Sequence, residues 1–519
     1  PDLTGSGQQI GLWEAGGGVL AQHSEFLLPD GSSRVAQVDN PAAEIDSGGL
    51  GASNLGIFNS HATQVAGVLA AAGNTGTAKG MAFQANVAAY GSAGDIAEMM
   101  AAAASGMKVS NHAYSARFGW IYLSGSWYWL GGTAAGEDPR FGLYQRQSRE
   151  IDIVGFENPR YLSLWSSGNE GSELGPVNSS GVIPAGTTYF RIHDDDGDGY
   201  FTAGPTSTTT THPSDSSAPL TGATAAIYAP HLSTPTVPVF VPGGIGVDTL
   251  KSSGVAKNNL SVGAIDDIPA GYTVPSSAVV SSFSSRGPTD DGRVKPDLVA
   301  NGTSFVSTHF VLGTGLIVAN SSFESPAVIA GSATNGSTSW SENSPGSGSA
   351  QTTRITNFSG NLDQILRINT ANYRVWQDLT SVSLTANTQY VLSAGLGKLT
   401  GTTPDTNQVK VSVYTNGFSN LLAAQTFSPG KLGALTNNSG TFGTFQVGFL
   451  IGATVPSGTV RVVIENLGGG VAFADWVKLN VASTNLYTNG ASTAENAPVS
   501  GTSFSTPSVT GSLALLQQE

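Results

Sequence analysis

The sequence predicts an α/β fold, a parallel sheet flanked by helices, interrupted by an all-β block. Three observations carry this. Strand and helix patterns alternate over the first 170 of 519 residues, the mark of a parallel sheet covered on both faces. From about Phe305 to Leu486 helical periodicity vanishes, and short alternating strands recur between Gly, Asn, Thr and Pro turns. The final segment, Thr506–Gln518, is helical again, so one domain leaves and returns around the other. The expected divisions are 1–304, 305–485 and 486–519.

The elements follow in order. Gln9–Trp13 is a short apolar strand ending at Glu14 and a glycine run. Ser60–Ala72 carries Val65, Val68, Leu69 and Ala72 at helical spacing, with Ser60 as expected N-cap and Gly73-Asn74 as stop. Asn86–Tyr90 is a strand and Asp95–Ser105 a buried helix. Lys108–Tyr114 is a strand, Phe141–Ile153 a helix and Tyr161–Trp165 a strand. Residues 170–249 lose all periodicity and read as long ordered loops. Asn259–Ile265 and Val279–Phe283 resume the strand pattern. In the all-β block the strands are Tyr390–Ala394, Gln408–Tyr414, Thr444–Phe449, Val460–Glu465 and Trp476–Val481, a spacing that suggests a β-sandwich or jelly roll. In the last helix Val509, Leu513 and Leu516 share a face, with Pro507 in the first turn.

Composition narrows the function. Lys+Arg is 22 against Asp+Glu 36, a formal net charge of −14 with no basic run. That excludes a nucleic-acid binder built on clustered cations. With 11% charged residues, the chain is neither a self-repelling disordered polymer nor a coiled coil. It has no cysteine, so thiolate catalysis and Cys-based metal sites are excluded. No apolar run reaches the length of a membrane span. The N-terminus lacks a basic and apolar leader, and Pro1 reads as a processed end.

Three segments carry unusual chemistry. His61 opens a small-residue helix in Asn59-Ser-His-Ala-Thr-Gln-Val-Ala-Gly67. Ser503 sits at a helix mouth in Gly501-Thr-Ser-Phe-Ser-Thr-Pro507. Asn169 follows a strand in Ser166-Ser-Gly-Asn-Glu-Gly171. Singly they read as a structural histidine, a serine N-cap and a turn asparagine.

Together they resemble the subtilisin-like serine peptidases (subtilases). Ala256-Lys-Asn-Asn-Leu-Ser-Val-Gly-Ala264 and Phe283-Ser-Ser-Arg-Gly-Pro-Thr-Asp-Asp-Gly-Arg-Val-Lys-Pro-Asp297 agree with that family in order. The resemblance covers about residues 1–302 and 485–519. It implies Ser503 as nucleophile, His61 as general base and Asn169 as oxyanion donor beside the Ser503 N–H. It implies that Ser110, Asn111, His112, Ala113, Tyr114 and Ser115 pair with an extended peptide, and places Gly168 and Glu170 on the substrate wall. Glu170 reads either as a solvent-exposed residue or as a carboxylate favouring Lys or Arg at P1. The family's usual acid is Asp in a Val-x-Asp-x-Gly context. Here Ile10-Gly-Leu-Trp-Glu-Ala-Gly16 puts Glu14 there, longer by one methylene, with Gly16-Gly17-Gly18 able to give it room. Asp39 and Asp46 are rival acids.

Asp194-Asp-Asp-Gly-Asp-Gly-Tyr200 places Asp194, Asp196 and Asp198 at positions 1, 3 and 5 of an EF-hand-type loop, although position 12 is Pro205. The expectation is a structural Ca²⁺. Ser322-Phe-Glu-Ser-Pro326 and Phe473-Ala-Asp-Trp-Val-Lys-Leu479 resemble jelly-roll modules of the carbohydrate-binding type, which makes Glu324 and Asp475 candidates for a second Ca²⁺. Trp340, Tyr373 and Trp376 read as core aromatics or as a sugar platform. The expected protein is an extracellular endopeptidase acting on protein or peptide substrates. The alternatives are an inactive relative binding a glycan or surface partner through the β block, or an enzyme passing its acyl group to an amine.

Overall fold

A computed structural model of the chain describes residues 3–39, 58–74, 78–123, 126–129, 138–172, 188–191, 231–232, 247–328, 332–344, 346–357, 362–401, 406–427, 432–436, 439–440, 442–483 and 499–519. The central feature is a parallel sheet of seven strands. They are β1 (Gln9–Glu14), β2 (Val35–Gln37), β3 (Asn86–Gly91), β4 (Val109–His112), β5 (Leu162–Ser166), β6 (Leu260–Ile265) and β7 (Leu298–Asn301). Their spatial order is β7-β6-β5-β4-β1-β3-β2. β2 and β3 lie on one side of β1 and β4 to β7 run outward on the other, so the direction of the crossovers changes between β1 and β4 and their carboxyl ends are the switch point where open α/β sheets bind ligands.

The helices are α1 (Ser60–Ala70), α2 (Asp95–Ala104), α3 (Arg146–Glu157), α4 (Ser252–Val255) and α5 (Thr502–Gln518). Period-two alternation along β1 separates two cores. Ile10 and Leu12 join Val65, Leu69, Val87, Leu164, Val262, Phe504 and Ala514 beneath α1 and α5. Trp13 joins Met99, Ile151, Val154 and Trp165 on the α2 and α3 face. Gly11 lets this happen, because a Cβ there would lie 2.5 Å from both the Trp13 ring and Met107 Sδ. Only Met99 and Ala102 of α2 are buried, so this helix is half-exposed rather than buried. The strand expected over 279–283 forms only a bridge between Val280 and Ile265.

Helix α5 lies buried in the sheet's centre although it is rich in hydroxyls. Each hydroxyl is satisfied within the helix or nearby. Thr506 Oγ1 donates to Thr502 O, Ser508 Oγ to Phe504 O, and Ser512 Oγ to Ser508 O. The helix begins four residues earlier than its apolar spacing indicated, so Pro507 falls in the second turn and leaves the Ser503 carbonyl without an intrahelical donor.

The all-β region forms two largely antiparallel sheets, of nine and five strands. Its first strand is Val311–Leu316 and its last Ala472–Ser483. These two pair with each other, and the core between the sheets holds Phe323, Leu366, Val411, Phe427, Phe445 and Leu479. Residues 305–310 instead run along α1, with Ser307 Oγ donating to Gln64 O and Thr308 Oγ1 to Thr63 O. The chain leaves and re-enters the α/β domain at one place. Phe305 bridges Val499, and Gly501 N donates to Gly302 O at 2.8 Å.

Candidate active site

Glu14 is the last residue of β1, at the switch point. Its side chain is 2% exposed, against 39% for His61, and its Oε2 lies 2.9 Å from His61 Nδ1. The glycine run makes the geometry work. Gly16 and Gly17 have φ of +82° and +141°, and Gly16 O accepts Asn59 Nδ2. Asn59, not Ser60, is the N-cap of α1, its Oδ1 accepting Ala62 N at 3.1 Å. Ser60 instead donates its hydroxyl to Phe310 O. Burial disfavours the His61 cation, but the charge and hydrogen bond of Glu14 together outweigh it and hold the imidazole above its ordinary pKa. With Nδ1–H directed at Glu14, Nε2 is left as the acceptor. Glu14 Oε1 is buried with no hydrogen-bond partner among the described residues. The rival Asp39 is occupied elsewhere, accepting Gln37 Nε2 and Gly91 N. Asp46 lies outside the described residues.

Ser503 is the second residue of α5 and is 9% exposed. The Phe504 ring next to it stands 5.6 Å from the His61 ring. In this conformation Ser503 Oγ donates to Ala113 O at 3.3 Å rather than to His61, and free enzymes commonly hold such hydrogen bonds loosely. Asn169 is fixed by its oxygen, with Oδ1 accepting Thr502 N at 2.9 Å and Thr502 Oγ1 at 3.0 Å. That commits the amide's orientation and leaves Nδ2 to donate. A Cβ at Gly501 would stand 3.4 Å from Asn169 Nδ2 and 3.7 Å from Ser503 N. Asn169 Nδ2 and Ser503 N thus both border the space beside Gly501. Gly501, at φ +152°, keeps it open.

Glu170 is not available to a basic side chain. Its Oε1 forms an ion pair with Lys251, and its Oε2 accepts Asn169 N and Ser285 Oγ. It is therefore neither solvent-exposed nor a free P1 carboxylate. Instead it holds the Asn169 backbone in place. Gly168 is likewise enclosed. Its carbonyl accepts Ser285 N, and a Cβ on it would meet Glu170 Oε2 at 2.5 Å. Ser110, Asn111 and His112 are completely buried in β4, which is paired on both sides by β1 and β5. A strand with two neighbours has no free edge for a peptide, so these three do not touch substrate. Beyond the strand's end, Ala113 touches the site, its carbonyl accepting Ser503 Oγ.

The residues under β4 do different work. His112 stacks between Trp165 at 4.1 Å and Trp13 at 5.1 Å, and burial pushes its pKa well below the ordinary value. Ser110 Oγ bonds His112 Nε2, His112 Nδ1 meets Tyr114 OH, and Tyr114 OH donates to Asp95 Oδ2. This chain fixes the strand end that presents Ala113 O. Lys251 and Tyr114's partner Asp95 carried no motif, since each acts through a fold-made contact. Ser285, in contrast, lay in view within Phe283–Asp297.

Asp194, Asp196 and Asp198 lie outside the described residues. Glu324 is exposed, its Oε1 3.4 Å from Gln364 N. Asp475 is buried and accepts Trp476 N. Among the described residues no group of three or more His, Asp or Glu side chains converges as a metal site. Trp340 and Tyr373 belong to the sandwich core. Trp376 is half-exposed, edge-on to Phe418 and covered by Arg461.

The chain matches the model of the Subtilase family over residues 39–361, a span containing His61 and Asn169 but neither Glu14 nor Ser503. Residues 314–480 match the HpiC1 cyclase model. No curated protein matches. Among solved structures, the CspB protease of Clostridium perfringens is 15% identical, with 59% of this chain and 78% of that one covered and a TM-score of 0.33. The CBM22-1 xylan-binding domain of Paenibacillus barcinonensis Xyn10C is 14% identical, with 33% and 95% covered and a TM-score of 0.21. The α-L-arabinofuranosidase MgGH51 is also 14% identical, with a TM-score of 0.23, and the match takes in only 27% of its length. The subtilase match takes in more than half of the sequence, and the chain belongs to the subtilase family.

Proposed function

We propose that the chain is a serine endopeptidase with a Ser503–His61–Glu14 triad. The observation that carries this is Glu14 Oε2 at 2.9 Å from His61 Nδ1, at the sheet end that also presents Ser503 and Asn169. In the first step Ser503 Oγ turns from Ala113 O and bonds the scissile carbonyl carbon while His61 Nε2 takes its proton. The carbonyl oxygen becomes an anion held by Ser503 N–H and Asn169 Nδ2. Collapse breaks the C–N bond, and His61 returns the proton to the leaving amine. Water, deprotonated by the same imidazole, then cleaves the acyl-enzyme ester. Glu14 keeps its charge throughout, orienting His61 and stabilising its cation. A fluorophosphonate probe tests this. Labelling of the folded protein that disappears in Ser503→Ala supports the triad, and an unlabelled wild type overturns it.

The proposal includes action outside the cell and a structural Ca²⁺ on Asp194, Asp196 and Asp198. Calcium would cross-link an otherwise acidic loop. A melting temperature that falls on chelation and recovers with Ca²⁺ in the wild type, but not in the triple Asp→Asn variant, is the expected result. A second reading, glycan binding by the β block, rests on the half-exposed Trp376 beside Phe418. Retention on insoluble polysaccharide that Trp376→Ala abolishes would support it.

A further inference from the structure

The β block touches the α/β domain close to the catalytic histidine. Gln446 projects from the strand Gly443–Ile451 and is 8% exposed. Its Oε1 accepts the backbone N–H of Phe58 at 3.1 Å, across 388 positions of sequence. Phe58 stands three residues ahead of His61, and each residue between is held as well. Asn59 N donates to Gly18 O at 2.8 Å, and Ser60 Oγ donates to Phe310 O at 3.2 Å. Phe58 also packs edge-on to Phe310, within a small apolar cluster of Leu20, Phe310, Val391 and Ala482 that joins the two domains.

We propose that Gln446 is a positioning residue for His61, so that the β block forms part of the catalytic apparatus. This rests on the serine-peptidase reading. The physical reason is that α1 starts at Ser60 and His61 is its second residue. The first turn of a helix has no intrahelical partners for its N–H groups, so contacts ahead of it set where it begins. Among the described residues, the Gln446 contact is the one that the β block supplies to this segment through a polar side chain. The imidazole must meet Glu14 on one side and Ser503 on the other, and a shift of about 1 Å in such a constellation costs on the order of a hundredfold in rate.

The test uses Gln446→Leu, which keeps bulk but removes the acceptor, and Gln446→Glu, which restores one. Gln425→Leu, on the same wall of the cleft between the domains, is the control. The readouts are kcat and KM on a peptide substrate, and the His61 imidazole titration by NMR. His61 faces Glu14 from β1 and Ser503 and Phe504 from α5, with Tyr114 near Glu14, so a displaced α1 start weakens the Glu14 contact. Gln446→Leu is expected to lower kcat roughly tenfold to a hundredfold with KM little changed, and to move the His61 pKa down toward the ordinary imidazole value. Gln446→Glu is expected to recover most of both, and Gln425→Leu to change neither. Unchanged kcat and titration in Gln446→Leu, a change in KM alone, or no recovery in Gln446→Glu overturns the proposal. If the wild type cleaves nothing, the serine-peptidase reading fails, whereas a His61 titration that still moves in Gln446→Leu and returns in Gln446→Glu sustains the positioning role.

Discussion

Two glutamates stand at or just past the ends of the strands that flank β4 on either side, and they do opposite things. Glu14 closes β1 and Glu170 follows β5. Both side chains are largely enclosed, at 2% and 13% exposed. Glu14 meets an imidazole that must gain and lose a proton, and its second oxygen has no partner among the described residues. Glu170 meets Lys251, Ser285 and a backbone N–H, which compensate its charge and hold it still. The difference teaches that a buried carboxylate takes its role from its partner. One beside a titrating group can act on a reaction, and one beside a permanent cation is a strut.

Substitution at the two positions should separate these roles. Glu14→Gln keeps the shape but loses the charge, and is expected to lower kcat by about 10⁴, the order seen when a triad acid is neutralised. Burst titration of the acyl-enzyme would read it, and a loss under about tenfold would remove Glu14 from the triad. Asn169→Ala is expected to cost about 10²–10³ in kcat with KM nearly unchanged, the signature of a contact made in the transition state. Steady-state kinetics decide this. Glu170→Gln should leave kcat within about tenfold but destabilise the fold by roughly 3 kcal/mol, because it strands the Lys251 charge in a closed site. Denaturant unfolding measures that loss, which the double variant Glu170→Gln/Lys251→Met should largely restore.

The pH dependence is the smallest effect and the most specific. His61 must be neutral to accept the Ser503 proton. Its folded pKa is raised, so the acidic limb of kcat/KM should lie above the ordinary imidazole value. Removing the Glu14 charge lowers that pKa, so the limb in Glu14→Gln should move to lower pH even as the rate falls. A limb that stays in place would mean that another group titrates. His112 cannot be that group, since burial keeps it neutral across the working range.

Much of the α/β fold was legible. Strands β1, β3, β5 and β6 were visible as short, largely apolar runs between turns, because a parallel strand covered on both faces leaves few polar positions. Five β-block strands were legible by alternation, although Tyr390–Ala394 and Trp476–Val481 are parts of longer strands, Thr388–Leu399 and Ala472–Ser483, and strands such as Ala350–Asn357, Leu362–Ile368 and Tyr373–Leu379 were not read. The start of α5 was not, because Thr502 to Thr506 are polar by composition and buried by position. Their hydroxyls are satisfied by Thr502 O within the helix and by Asn169 and Ala113 outside it, which no hydropathy pattern records. The role assigned to Ser110–His112 failed for a similar reason. The residue types fit a peptide-binding edge, but strand order placed them between two neighbours.

What the sequence determined by itself was local: where the backbone turns, which residues are small enough to let others approach, and which segments carry chemical groups in family order. Gly16 and Gly501 belong here, since only glycine takes those backbone angles beside those neighbours. What the tertiary structure decided was partnership. Glu14 with His61, Glu170 with Lys251, Asn169 with Thr502 and Phe58 with Gln446 are separated by 47 to 388 positions. Chain order does not encode such pairs. They form because hydrophobic burial stacks the strands and helices in one order, and each polar group enclosed by that stacking must find its partner there.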